Sequence, residues 1–536
     1  MQSTPTLLAT LALVSSTASA TFAQCEVNLL YADDALTDDN FGNAVAISEE
    51  WAIVGAPFAD AAGTDSGAAY VFRRGPDGRW NQIQKLAPAG LGAGDRFGTS
   101  IAISDGIAIV GAYRDDDMGA DAGAAYVFQL GPQQWDLVTK LVAESGQPFD
   151  WFGYTVGLDG PLAVVGALLR DGQGAGSGSA CIYRQVDGQT WALTTEVSPA
   201  DGETGDLFGT SVALFDDRVV IGAIGDDDGG ENAGAAYVYE LGQGGWTQTA
   251  KLVAEDPSEQ ASLGFAVAMT ENSALVGAFR DSEMGADAGS AYVFRRTNDG
   301  SWVQGSKLLA DSPGPDQNFG SAIDIDGQRA VVGARGEGAG RISVFQVGQS
   351  GWEQVLAFEQ TISAEGDSFG FSVAIDGAHG LGGAIEHDAG APDAGAVSAY
   401  LLDSGDALQA CPRMLSLSAG GQADMSIRTA AALAGATYLV IGSMSGTGPG
   451  IPSGGFLVPL VPDVYTSCTL DAPNTPPLAG SLGVLDPQGN AQASFLLPTG
   501  MDPALVGAQF HHAFVVIGAD SFLDGVSNPI AIEIVP

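Results

Sequence analysis

One feature constrains this chain above all others: three sequence registers recur in step seven times. Phe-Gly stands at Phe41, Phe97, Phe152, Phe208, Phe319 and Phe369, with Leu263-Gly264 in the fifth place. The steps are 56, 55, 56, 55, 56 and 50 residues. A Gly-Ala pair follows each at an offset of 14, beginning at Gly55, Gly111, Gly166, Gly222, Gly277, Gly333 and Gly383. A Trp opens the last segment of six units, at Trp80, Trp135, Trp191, Trp246, Trp302 and Trp352. Such a period marks a fold made from one supersecondary unit that buries its core against its neighbours.

Each unit reads as four short strands. In the second, Phe97 to Ile103 alternates, Ser104-Asp105-Gly106 turns, and Ile107 to Ala112 returns. An acidic, Gly-rich loop then leads to Ala124–Gln129, and Trp135–Val142 completes the unit. These are strand-length runs bounded by turn residues. Four strands per unit, repeated seven times, predict an all-β chain built on a seven-bladed β-propeller. The seventh unit has runs near Phe369–Ile375, Gly380–Ala384 and Val397–Leu402 but no Trp-led fourth. The segment Glu26–Leu30 is expected to supply that strand, closing the ring and removing two open edges.

The propeller is expected over residues 24–411. After Cys411 the repeat stops. Residues 412–536 show runs at Thr437–Ile441, Gly455–Leu460, Val464–Leu470, Ser481–Leu485, Ala491–Leu497, Phe510–Ile517 and Ile530–Val535. All are expected as strands of a small β-sandwich, with Asp486–Asn490 as a hairpin turn. This stretch resembles a C-terminal module of many secreted bacterial proteins.

The first 20 residues carry no charged side chain, Leu7–Val14 is apolar, and Ala18-Ser19-Ala20 reads as a cleavage site. Residues 1–23 are therefore expected to be a secretory signal peptide, leaving a secreted, extracellular or envelope protein. No later run reaches the ~18 apolar residues of a membrane span, so no membrane insertion is expected. The formal charge of −44, from 64 acids against 20 bases, disfavours nucleic acid as a partner. An oxidising compartment permits disulfides. Cys25–Cys411 would clasp the ring, Cys411–Cys468 is the alternative, and Cys181 is expected as a buried thiol.

The pair Phe41-Gly42 and Val54-Gly55-Ala56-Pro57 resembles the FG-GAP repeat family over about residues 26–405. The resemblance implies the propeller seen in integrin α-subunits and in many bacterial secreted proteins. Calcium-binding members carry an Asp-x-Asp-x-Asp-Gly loop between the two elements. Here that interval holds only a tight turn, and the nearest approach, Ile323-Asp324-Ile325-Asp326-Gly327, lacks the six to eight oxygens calcium takes.

Acids gather instead after Gly-Ala. Asp115, Asp116, Asp117 and Asp121 stand in loop two, Asp226, Asp227, Asp228 and Glu231 in loop four, Asp281, Glu283 and Asp287 in loop five, and Glu386, Asp388 and Asp393 in loop seven. They are candidates for weak calcium binding, or for Asx-type turns in which each carboxylate bonds nearby backbone. Asp two residues before Phe-Gly, at Asp39, Asp95, Asp150, Asp206 and Asp367, is expected to hold a turn, and the Phe and Trp sets to pack between blades.

Enzyme motifs do not assemble. Gly366–Gly370 matches G-x-S-x-G but belongs to the seventh Phe-Gly element, without the strand-to-helix turn of a nucleophile elbow. His511 and His512 are adjacent on an expected strand and point to opposite faces. The expectation is a non-catalytic binding or adhesion protein using the propeller loops, its partner an extracellular protein or glycan. The alternative is a structural envelope or matrix component assembling through the C-terminal domain.

Overall fold

The computed structural model describes residues 25–535 apart from short stretches, the longest being 359–365, 403–407 and 518–522. The expected signal peptide lies outside the described residues. Seven four-stranded antiparallel sheets follow one another, and each holds one unit. Blade two is typical: Ile101–Ser104, Ile107–Ala112, Ala124–Leu130 and Trp135–Leu141, paired in chain order. Blade seven pairs Val373–Asp376, His379–Ala384 and Ala396–Leu401, and its fourth strand is Cys25–Leu30. The N-terminal segment closes the ring as the sequence predicts. First strands of successive blades run side by side, so they line the axis.

The closure repeats one contact seven times. The Gly of each Gly-Ala pair lies against the carbonyl oxygen of the Phe-Gly glycine in the next blade. A Cβ added at these positions would stand only 1.9–2.3 Å from that oxygen, from Gly55 on Gly98 round to Gly383 on Gly42. A third glycine, not singled out in the sequence, completes the seam. Gly67, Gly123, Gly178, Gly234, Gly289, Gly340 and Gly395 each bridge to the Phe or Leu of the following Phe-Gly element, the last to Phe41. Their φ values of +81° to +87° are ones that L side chains rarely adopt.

The Phe rings fill the space so defined. Phe97 is fully buried between Ile53, Ala69 and Val71 of blade one and Ala108, Val110, Tyr126 and Phe128 of blade two. It meets Tyr126 and Phe128 edge-on at 5.4 and 6.1 Å. Trp135 joins the same cluster. Burial of such a ring contributes a few kcal/mol, about 1.5–3 by transfer. At the seam, Asn28 on the closing strand accepts from the Trp80 amide and donates to the Trp80 carbonyl, at 3.2 and 3.1 Å.

The C-terminal residues form two sheets over one core. One pairs Leu408–Cys411, Gly421–Arg428, Asn490–Leu497 and Leu478–Ala479, while the other is built around Gln509–Ile517 and Thr437–Ser443. Met425, Phe495, Tyr438 and Phe514 meet in the core between them.

Two expectations fail here. Val464–Asp471 is an α-helix, not a strand: the Asp463 side chain accepts from the Thr466 amide, and the Thr466 side chain bonds back to the cap. Residues 487–489 of the expected Asp486–Asn490 turn lie outside the described residues, but the strands on either side do not pair as a hairpin: Leu482–Val484 lies on Thr437–Leu439 and Asn490–Leu497 on Gly421–Arg428, in different sheets.

Cys468 is an exposed free thiol, and Cys411, its alternative partner, has its side chain outside the described residues. Strand Leu408–Cys411 passes near strand Cys25–Leu30, while the side chains of Cys25 and Cys411 lie outside the described residues. Cys181 is buried and free, its thiol pushed up to about 12 by burial.

Gly111→Ala drives a methyl group onto the Gly153 carbonyl, 2.0 Å from the Cβ position. It is expected to cost about 1–3 kcal/mol in urea unfolding followed by circular dichroism, as other overpacked cores do. Gly188→Ala, with no atom within 4 Å, is expected to change stability by less than ~0.5 kcal/mol.

Candidate functional site

Strands one and three of each blade run towards the same end of the ring, so the loops after Gly-Ala and the turns before Phe-Gly share one face. The candidate carboxylates all lie there; in loop seven Glu386, Asp388 and Asp393 are all exposed, whereas in loops two, four and five the acids divide into two kinds. Asp115 is buried, whereas Asp116 and Asp117 are exposed. Asp226 and Asp281 are buried likewise.

The buried carboxylate of each loop faces a lysine from the fourth strand of its own blade. Lys140 Nζ lies 2.7 Å from Asp115 Oδ2 and 2.5 Å from Asp117 Oδ2. Lys251 reaches Asp226, Asp228 and Asp201 at 2.7, 2.5 and 3.0 Å. Lys307 reaches Asp281, Glu283 and Asp256 at 2.8, 2.6 and 2.8 Å. A tyrosine closes each box from below. Tyr126 and Tyr237 donate to Asp115 and Asp226 at 2.8 and 2.6 Å, and Tyr292 donates to Asp281 at 3.0 Å. The ammonium groups sit 5.0–5.2 Å over the tyrosine rings, a cation–π arrangement. Burial works against the charge of Lys140, but the bonds to Asp115 and Asp117 outweigh it and hold its pKa above the ordinary lysine value.

The remaining acids serve the loop backbone. Asp116 accepts from the Asp121 amide at 2.8 Å, and Asp227 accepts from the Asn232 amide at 2.6 Å. Asp121 takes a two-pronged contact from Arg114 at 3.1 Å. Asp287 occupies a left-handed turn at φ +49°. The structure thus brings Asp115 with Asp117, Asp226 with Asp228, and Asp281 with Glu283, each pair around a lysine. Among the described residues, no group of three or more His, Cys, Asp or Glu is arranged to hold a metal ion.

The sequence reading passed over the lysines. Their signal was a Lys-Leu pair near the end of the fourth strand, 25 residues beyond Asp115 and Asp226. Blade three shows what the position requires. Arg170 stands where Asp115 does, Glu196 where Lys140 does, and the pair closes at 2.9 Å with its charges exchanged.

The Asp residues before Phe-Gly hold turns as expected. Asp39, Asp95, Asp150 and Asp206 accept from the amides of Leu36, Gly92, Gln147 and Glu203 at 2.7–2.8 Å. Burial raises the pKa of all four despite these bonds, Asp95 to about 6.

Ser368 of the G-x-S-x-G match lies in the turn into the seventh inner strand and bonds Gly366 O and Glu386 at 3.4 and 3.2 Å. His512 is wholly buried against Tyr465 Oη at 2.9 Å.

The far end of the axis opens into a cavity of about 1090 Å³ rimmed by Glu49, Asp105, Asp159, Glu271, Asp326 and Asp376. Several of these carboxylates stitch blade to blade: Asp159 accepts from the Asp216 amide at 2.6 Å and Asp326 from the Gly377 amide at 2.7 Å.

Lys140→Met leaves Asp115 buried without its countercharge and is expected to cost about 3–5 kcal/mol in urea unfolding at pH 7. Asp117→Asn removes only an exposed partner and is expected to cost under ~1 kcal/mol. For Asp95, a folded pKa above the unfolded one means that native protein holds the extra proton between about pH 4 and 6. That carboxyl's contribution to stability therefore falls as pH rises through this window. Asp95→Asn is expected to flatten the stability–pH curve there relative to wild type, while keeping an oxygen for the Gly92 amide.

A family model described as the FG-GAP repeat matches residues 25–72, 80–128, 135–183, 191–239, 246–294 and 302–345, more than half of the chain. No curated protein matches it. Among solved structures, a protein from Lactobacillus plantarum aligns over 71% of this chain and 93% of its own, at 16% identity and a TM-score of 0.44. With six matched units and seven blades, the chain belongs to the FG-GAP repeat family, whose propeller fold fits a binding or structural role.

Proposed function

We propose that this is an extracellular, non-catalytic binding protein that recognises a protein or glycan with the loop face of its propeller. The observation that carries this reading is a contrast between positions around the ring. The glycines and buried rings of the blade seams repeat. The residues where the inner two strands reach the loop face do not. After Gly-Ala stand Pro57, Tyr113, Leu168, Ile224, Phe279, Arg335 and Ile385, and after Phe-Gly stand Asn43, Thr99, Tyr154, Thr210, Phe265, Ser321 and Phe371. Positions free of the packing constraint carry large rings and a cation, groups that dominate recognition surfaces. The uncharged, apolar N-terminal segment supports a place outside the cytoplasm.

A second reading, a structural envelope component assembling through the C-terminal sandwich, is favoured by one observation. Strand Leu482–Val484 ends the larger sheet, and Val484 is 62% exposed. Asn474 already bonds the Leu482 amide and carbonyl, so the apolar edge available for pairing with another chain is at Val484.

Co-sedimentation of the full mature chain with washed envelopes of its source cell separates the two. Pelleting is expected to weaken at least tenfold in Trp151→Ala, which removes the ring stacked on Tyr154 just before the third Phe-Gly, to survive Val484→Lys, and to ignore chelator, because the loop carboxylates are paired with lysine. Loss in Val484→Lys with Trp151→Ala unchanged would establish the second reading in place of the first.

A further inference from the structure

The loop-face mouth of the axis holds a cation in unusual company. Arg335, at the end of the second strand of blade six, places its guanidinium 5.4 and 5.9 Å from the ring centroids of Phe265 and Phe279 in blade five. It lies 4.8 Å from Phe371 in blade seven. Phe265 and Phe279 are packed together at 4.2 Å. Arg280 lies beside them, 5.1 Å over Phe279. Among the described residues, neither arginine forms an ion pair with a carboxylate. This happens in a chain where acids outnumber bases by 64 to 20, and where Lys140, Lys251 and Lys307 each gather two or three carboxylates.

Nor does the scaffold call for the charge. Leu168, Ile224 and Ile385 occupy the place of Arg335 in blades three, four and seven. A half-buried guanidinium is costly to desolvate, and its planar fork matches a carboxylate or sulfate.

Tyr154 lies across the axis, near enough for the Arg335 charge to act on its hydroxyl. It stacks on Trp151 at 6.0 Å with 16° between the rings, and Tyr113 meets Trp151 edge-on at 5.1 Å. All three residues are only partly buried. A parallel pair of amphipathic rings is a platform with an apolar face and a polar rim.

We propose that this mouth binds an acidic saccharide, Arg335 pairing with its carboxylate or sulfate while the Tyr113, Trp151 and Tyr154 rings take the flat sugar faces. The site rests on the binding reading above and names its ligand class. The net charge of −44 does not forbid it, since at physiological salt the field of distant carboxylates fades over about 8 Å. A contact pair inside the mouth is screened far less.

The probes are a uronate hexasaccharide, a sulfated hexasaccharide, a neutral glucose hexasaccharide and hexaglutamate, titrated into the full mature chain by calorimetry and tryptophan fluorescence. One or both acidic sugars are expected to bind, which of the two does so identifying the anion, with the neutral sugar and the peptide at least tenfold weaker. Arg335→Gln is expected to weaken binding by about tenfold or more, the loss typical of a charged hydrogen-bonding partner. Arg335→Lys, which keeps charge but not the fork, should fall between. Trp151→Ala should weaken binding while leaving the thermal midpoint near wild type. Should Arg335→Gln unfold, Arg280→Gln and Trp151→Ala carry the test, each expected to weaken acidic-sugar binding. Equal binding of neutral and acidic sugars, tighter binding of hexaglutamate, or wild-type affinity in the Arg335 variants overturns the proposal. Envelope pelleting that survives Arg335→Gln and excess acidic sugar removes this site while leaving the binding reading in place. Sugar binding without pelleting keeps both this site and the binding reading and places the ligand elsewhere than on the washed envelope.

Discussion

Everything in the propeller depends on a glycine Cα lying against the carbonyl of the next blade's glycine. The gap left there is narrower than a methyl group, at seven seams in succession. That distance sets how closely the blades approach, and the approach sets how tightly the Phe rings are enclosed. Packing at crystal-like density makes such a seam intolerant of small changes in volume. In an open solenoid, terminal repeats need caps. Here Gly383 meets Gly42, and the chain's first described strand completes its last blade. The ring therefore has no end repeat, and the edge strands face outward in every blade.

That repeated constraint is why so much of the fold can be read from the residues. Phe-Gly and Gly-Ala recur because each is one half of the same contact. The third glycine register escaped notice because loops rich in Gly hide it, and because blade six shortens the spacing from Gly333 to Gly340. Its requirement is a positive φ, which leaves no mark beyond the residue itself. Outside the repeat, local patterns misled. Val464–Leu470 alternates much like a strand, yet the reciprocal bonds of Asp463 and Thr466 start a helix. Turn residues at Asp486–Asn490 say that the chain bends, not which sheet receives it. Sheet partnership is a long-range choice that packing of residues such as Phe495 and Phe514 decides.

The acidic loops show the same limit at the level of a site. Asp115-Asp116-Asp117 reads as a cation cluster because sequence displays the acids together and the lysine far away. In space the order reverses: the lysine is at the centre and the acids surround it. The charge-exchanged Arg170–Glu196 pair is the strongest argument that this position exists for an internal ion pair. A pair bridging the loop to the outer strand survives an exchange of sign intact. Desolvation explains why one carboxylate in each loop matters more than its neighbours. Asp115, Asp226 and Asp281 have given up water and depend on the lysine and tyrosine, while Asp117 and Asp228 still have solvent.

A ring that must satisfy seven equal seams has little freedom in its backbone, so any recognition has to be written in side chains the seams do not use. The ends of the inner strands are the natural place. They are held rigidly by the Phe-Gly turns, they converge on one axis, and seven different residues can stand side by side there without disturbing a blade. Pseudo-symmetry in the scaffold thus makes asymmetry at the mouth inexpensive. Apolar residues at Leu168, Ile224 and Ile385 satisfy the fold at the position where Arg335 stands. A guanidinium set among three phenylalanine rings adds a desolvation cost that those residues avoid. The fold is thus satisfied without the charge in three other blades, and the contacts of Arg335 with the phenylalanine rings offset only part of that cost.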